Sequence, residues 1–145
     1  MPKLDDASWH YGGDEFPPEL AEECGATHMG MFARWAIERG FWSEFLGPES
    51  AVPIREVGLG ALSARSFILE RCDGKLLSEM LVAEAATFAE KYYPKKYLAA
   101  YKASVAHGLK SDYLVAESEE NYRTIAQALD SALYAWRTKP KWKFW

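Results

Sequence analysis

The chain has 145 residues, of which 49% are apolar and 14% aromatic, and a formal net charge of −4. That size and composition suit a single domain with a real hydrophobic core, and they exclude a disordered segment. No run of about 18 apolar residues occurs, so a membrane-spanning helix is excluded, and Met1–Asp6 lacks the apolar stretch of a secretory signal.

In chain order, Asp5–Pro18 comes first (Asp-Asp-Ala-Ser-Trp-His-Tyr-Gly-Gly-Asp-Glu-Phe-Pro-Pro) and carries no hydrophobic period. Rings beside Gly-Gly and Pro-Pro predict an ordered loop, with Trp9 and Tyr11 buried to pin it onto the body. Met29, Phe32, Ala33, Ala36 and Ile37 recur at helical spacing, and Gly40 offers a left-handed cap. A short helical turn is expected over Trp42–Leu46, and Ser50–Gly60 reads ambiguously because of Pro53 and two glycines. Ala64, Phe67, Ile68 and Cys72 form the next stripe, which Asp73-Gly74 ends. Leu77, Leu81, Ala85, Phe88 and Tyr92 mark a long helix over Leu76–Tyr92. Tyr93-Pro94 should stop it, since a residue before proline avoids the helical region. Tyr97, Leu98, Tyr101 and Val105 begin another helix, closed near His107-Gly108. Ser118 is a good N-cap for the last, whose stripe is Tyr122, Ile125, Ala126, Leu129, Leu133 and Trp136. Alternation of apolar and polar residues never persists, so strands are not expected. The fold class is all-α: a single-domain bundle of five or six helices over residues 1–138 with an ordered aromatic N-terminal loop. Residues 139–145 form a basic aromatic tail, expected to pack on the domain's own surface or to be disordered.

Few of these residues carry a catalytic pattern. No phosphate-binding glycine motif and no nucleophile elbow is present. Cys24 and Cys72 share no C-x-x-C spacing and read as reduced thiols of a cytoplasmic protein. Asp73-Gly74-Lys75 superficially suggests a calcium loop. With Gly74 at the turn position, however, Leu69, Arg71 and Met80 fall where oxygen ligands are required, so that site cannot form. His10, His28 and His107 have no ligand spacing. His10, His28, Cys24 and Asp14 would converge only if the opening segment folded back on the first long helix, and hydrogen-bonded structural histidines are the expectation. No metal, no cofactor and no catalytic residue is therefore predicted.

Charge is the stronger signal. Residues 1–50 hold three basic and ten acidic residues. Asp14, Glu15, Glu19, Glu22 and Glu23 are the densest cluster, with no Lys or Arg between Lys3 and Arg34. Such a field repels nucleic acid and attracts a basic protein partner.

The opening string, together with Gly25–Ile37, Cys72–Leu76 and the Asn121-Tyr122 helix, resembles a family of small bacterial proteins of unknown function. Families of this kind resemble immunity proteins, which neutralise a toxin by direct contact. The resemblance implies a cytoplasmic binding protein and not an enzyme. Its partner would be a cognate toxin with a basic surface, for example one that processes nucleotides or nucleic acid, met by Asp14, Glu15, Glu19, Glu22 and Glu23. The alternative is a small-ligand protein or enzyme using the Trp9-His10-Tyr11 loop.

Overall fold

The computed structural model describes residues 2–139, and within them the protein is predominantly helical. The aromatic tail expected from sequence lies outside the described residues from position 140 onward.

Helix α2 (Thr27–Glu38) is the hub. Nine of its twelve residues are buried, and a helix apolar nearly all round must be wrapped on several sides. Helices α3 (Ala51–Gly58), α4 (Ala64–Arg71) and α7 (Glu119–Thr138) all pack on it. Gly30 sets the α2–α4 crossing: a Cβ there would stand 2.6 Å from the Arg65 nitrogen. Helix α7 begins at its expected cap, the Ser118 hydroxyl accepting from the Asn121 amide, and buries Tyr122, Ile125, Ala126, Leu129 and Leu133. Its register on α2 is pinned by polar contacts. The buried Trp35 indole donates to Asp130 at 2.8 Å, and Arg39 pairs with the same carboxylate at 2.7 Å.

Several expectations need correcting. The opening segment is a loop only from Gly12 onward: Lys3–Asp6 forms strand β1, antiparallel to β2 (Lys75–Leu77), and Ala7–Tyr11 forms helix α1. Asp6 caps α1, accepting from the Ser8 amide at 2.9 Å. Trp9 and Tyr11 are 55% and 36% exposed, because α1 turns Ala7 and His10 inward instead; Trp9 lies under the Lys3 ammonium. Residues 75–80 belong to β2 and a 3-10 turn, so the helix expected from Leu76 starts only at Ala83 as α5 (Ala83–Tyr92). Trp42–Leu46 is not helical; Trp42 instead forms an isolated bridge with Leu81. Ser50–Gly60, ambiguous in sequence, contains α3.

Pro94 also fails to end the helical run. A π-helical turn over Tyr93–Tyr97 carries the chain from α5 into α6 (Leu98–Ala103). Proline lacks an N–H and crowds the carbonyl of the preceding turn, and a wider turn accommodates both.

Two substitutions test this arrangement. Gly30→Ala should destabilise by about 2–3 kcal/mol, as overpacking against rigid backbone does. Trp9→Ala should fall within about 1 kcal/mol of the parent, as exposed positions do. Urea midpoints at constant m-value would show the contrast, and the reverse order would mean that α1, not the α2–α4 crossing, carries the core.

Candidate functional site

At the junction of β1, α1, α2 and the π-turn, one buried carboxylate gathers four donors. Asp5 Oδ1 accepts from the His10 ring at 2.7 Å and from the Asp6 amide at 2.8 Å. Asp5 Oδ2 accepts from the His28 ring at 2.8 Å and from the Tyr93 hydroxyl at 2.7 Å. A carboxylate has about four acceptor positions, so Asp5 is saturated.

Its inward aim comes from a strand irregularity. Lys3 pairs with Leu77 and Asp5 with Leu76, so two steps on β1 match one on β2. Simple alternation would place Asp5 on the exposed face with Lys3. The extra residue re-aims it, and Leu4, Asp5 and Asp6 are all buried.

The histidines arrive from two directions. His10 stands on α1 and His28 on the first turn of α2; their rings meet edge-on with centroids 4.4 Å apart. Both Nε2 atoms face Asp5 and lie 3.2 Å from one another. The Nδ1 of His10 is 2.7 Å from the Tyr113 hydroxyl, whose ring packs on buried Phe16. The Tyr97 hydroxyl donates to the His28 carbonyl at 2.6 Å. Tyr93, Tyr97 and Tyr101 thus form one wall, with Tyr101 edge-on to His28.

Electrostatics follow from this packing. Burial alone would raise the Asp5 carboxyl, but hydrogen bonds from His10 and His28 hold it well below the usual carboxylate range. Burial pushes the His28 imidazole down, against the pull of Asp5. The arrangement is therefore an ionised carboxylate facing a neutral His28. For neutral imidazoles beside ionised Asp5, a proton on each Nε2 satisfies both bonds to the carboxylate and leaves His10 Nδ1 to accept from Tyr113. Burial pushes the Tyr93 and Tyr113 phenols up, so both act as hydroxyl donors.

Of the residues that the sequence suggested for a metal cluster, His10 and His28 converge, and Asp14 and Cys24 do not join them. Asp5 does, and Asp5, His10 and His28 together form a group able to hold a metal ion. Cys72 is buried, which pushes its thiol up to about 12 and leaves it inert.

The five acidic candidates Asp14, Glu15, Glu19, Glu22 and Glu23 are all exposed. They lie between His10 and His28, Asp14, Glu15 and Glu19 on irregular chain and Glu22 and Glu23 in the first turn of a 3-10 helix (Glu22–Ala26), so the histidine–carboxylate centre anchors both ends of the acidic segment. Tertiary folding brings one cation to it: Arg65 approaches Glu23 at 3.7 Å. Among the described residues, the other four carboxylates form no ion pair.

Residues 3–115 match a family described as a domain of unknown function (DUF7832). The chain belongs to that family. The match contains every member of the centre, from Asp5 to Tyr113, and ends before α7. No curated protein and no solved structure matches the chain.

Two hydroxyl deletions separate members of the network from bystanders. Tyr93→Phe removes a donor from a buried ionised carboxylate and should cost about 1.5–3 kcal/mol. The Tyr101 hydroxyl is buried and has no hydrogen-bond partner among the described residues. Tyr101→Phe should therefore be neutral or stabilising, because it removes an unsatisfied polar group. Thermal unfolding of the two variants side by side checks this. Equal losses would mean that Asp5 does not organise the wall.

Proposed function

We propose that this protein is a binding protein of the immunity type, whose acidic segment docks on a basic surface of a toxin and occludes it. The observation that carries the reading is the exposed run Asp14, Glu15, Glu19, Glu22 and Glu23, held at both ends by the histidine–carboxylate centre. An anchored segment loses little conformational entropy on docking. A single-sign field also accelerates encounter, which suits an inhibitor that must act before its target does. The absence of a phosphate-binding or nucleophile motif in the sequence and the resemblance of the opening string point the same way. A toxin that works on nucleotides or nucleic acid needs a basic cleft, and carboxylates can fill it in place of phosphates.

A second reading has one observation of its own. Asp5, His10 and Tyr113 form a carboxylate–imidazole–hydroxyl relay with both links at 2.7 Å, the order used when an imidazole serves as general base. Exposed Trp9 and Tyr11 on the same short helix would then contact a small ligand. A molecule that co-purifies in native mass spectrometry and is lost in His10→Gln would favour this second reading.

The partner reading is tested with the product of the adjacent gene. The triple substitution Glu19→Lys, Glu22→Lys, Glu23→Lys should keep the circular dichroism spectrum, because all three positions are exposed and an exposed pair such as Glu23–Arg65 contributes at most about 1 kcal/mol. It should slow association by about tenfold or more at low salt and flatten the dependence on ionic strength. Unchanged rates would move the interface elsewhere, and no binding by the parent protein would reject that pair.

A further inference from the structure

We propose that Asp5, His10 and His28 form a binding site for one divalent transition-metal ion of the zinc type. Three donor atoms converge at the base of the acidic segment: Asp5 Oδ1 is 2.7 Å from His10 Nε2, Asp5 Oδ2 is 2.8 Å from His28 Nε2, and the two Nε2 atoms are 3.2 Å apart. Two imidazoles and a carboxylate are a familiar donor set for zinc and for iron(II), whereas calcium and magnesium favour all-oxygen sites.

The spacing suits such an ion. Bond lengths of about 2.0–2.2 Å in a tetrahedral site put neighbouring ligand atoms about 3.3 Å apart. The His10–His28 separation already has that value. The carboxylate needs to draw back by only about half an ångström to make room for a metal at those bond lengths.

Proton bookkeeping is equally simple. Without metal, two Nε2–H groups crowd one carboxylate. On binding, each Nε2 offers its lone pair and its ring carries the proton on Nδ1, so the imidazoles change tautomer without either becoming charged. The His10–Tyr113 bond then reverses, His10 Nδ1–H donating to the Tyr113 oxygen. Asp5 keeps two donors that do not compete with the metal, Tyr93 on Oδ2 and the Asp6 amide on Oδ1. Such outer partners orient ligands and are integral to metal sites. Asp112 contributes further negative charge near His28. The ligands stand on β1, α1 and α2, so the ion would tie the strand to both helices. Three protein ligands leave at least one position for water or an exogenous ligand. The inference stands apart from the toxin-binding reading, because it requires no partner.

The test uses the full chain, dialysed against a chelator and then titrated with zinc or cobalt(II). The expected result is one zinc per chain by elemental analysis and by calorimetry, with a raised melting temperature. Long-range 1H–15N spectra should show the His10 and His28 Nε2 signals moving to the metal-bound position with protonated Nδ1, a readout in the parent protein that needs no variant. Tyr113→Phe keeps all three ligands and should weaken zinc about tenfold, the usual effect of losing an outer hydrogen bond. His10→Gln, at the most accessible ligand, should weaken it at least as much, and His107→Gln should leave it unchanged. Folded parent protein that takes up no stoichiometric zinc would overturn the proposal. So would binding that survives His10→Gln but is lost in His107→Gln, or spectra in which the Nε2 signals of His10 and His28 stay still.

Discussion

One buried charge organises this molecule. Asp5 is held in the ionised state inside the protein, and an unpaired carboxylate there would be prohibitively costly. What makes it tolerable is that each of its four donors is already in place: His10 from α1, His28 from α2, Tyr93 from the helical run beyond α5, and the adjacent Asp6 amide. The dependence is mutual. Displacing any of these elements strips a donor from a buried anion, so the carboxylate holds a strand, two helices and a π-turn in one relative placement. Directional bonds of this kind specify an arrangement that apolar packing alone leaves less sharply defined.

The tyrosine wall depends on a local departure from helical regularity. Tyr93, Tyr97 and Tyr101 follow one another at four-residue intervals, and an uninterrupted α-helix would let such a row drift slowly round its axis. Pro94 forces the wider π-turn, which changes the phase between α5 and α6. Phe88 and Tyr92 stack on the α5 side while Tyr93 and Tyr97 stack on the other. The Tyr93 hydroxyl thereby reaches Asp5 and the Tyr97 hydroxyl reaches the His28 carbonyl. The proline that breaks the helix's hydrogen-bond pattern is thus what allows its two neighbours to serve the centre.

Negative charge is used here in two physically different ways. In Asp5 it is desolvated, saturated and structural; in Asp14, Glu15, Glu19, Glu22 and Glu23 it is hydrated and projects a field into solvent. The two are joined by chain connectivity, since the acidic run begins just after His10 and ends just before His28. A metal ion at the centre would tighten the same anchorage, and a docking partner would meet a surface whose shape the centre sets. The proposed metal site and the proposed partner surface are therefore compatible, although neither depends on the other.

Much of the architecture was legible in the residues themselves. The 3.6-residue stripes of α2, α4 and α7 are properties of local sequence, and so are the Ser118 cap and the Asp73-Gly74 turn, where both residues take positive φ. Exposure of the acidic cluster was legible too, because carboxylates without nearby cations remain in water. The centre was only half visible. His10 and His28 could be nominated, but they lie eighteen positions apart and their meeting depends on how the intervening segment folds. Asp5 gave no signal, since strand alternation assigns it to the solvent face and only the irregular pairing with Leu76 and Leu77 turns it inward. Trp9 and Tyr11 are exposed for the complementary reason: ring size argues for burial, yet α1 spends its inner face on Ala7 and His10. Local sequence determined which elements form and where they are apolar. Which polar groups became neighbours was decided by a one-residue slip in a short strand pair and by a widened helical turn, both of which depend on contacts distant in sequence.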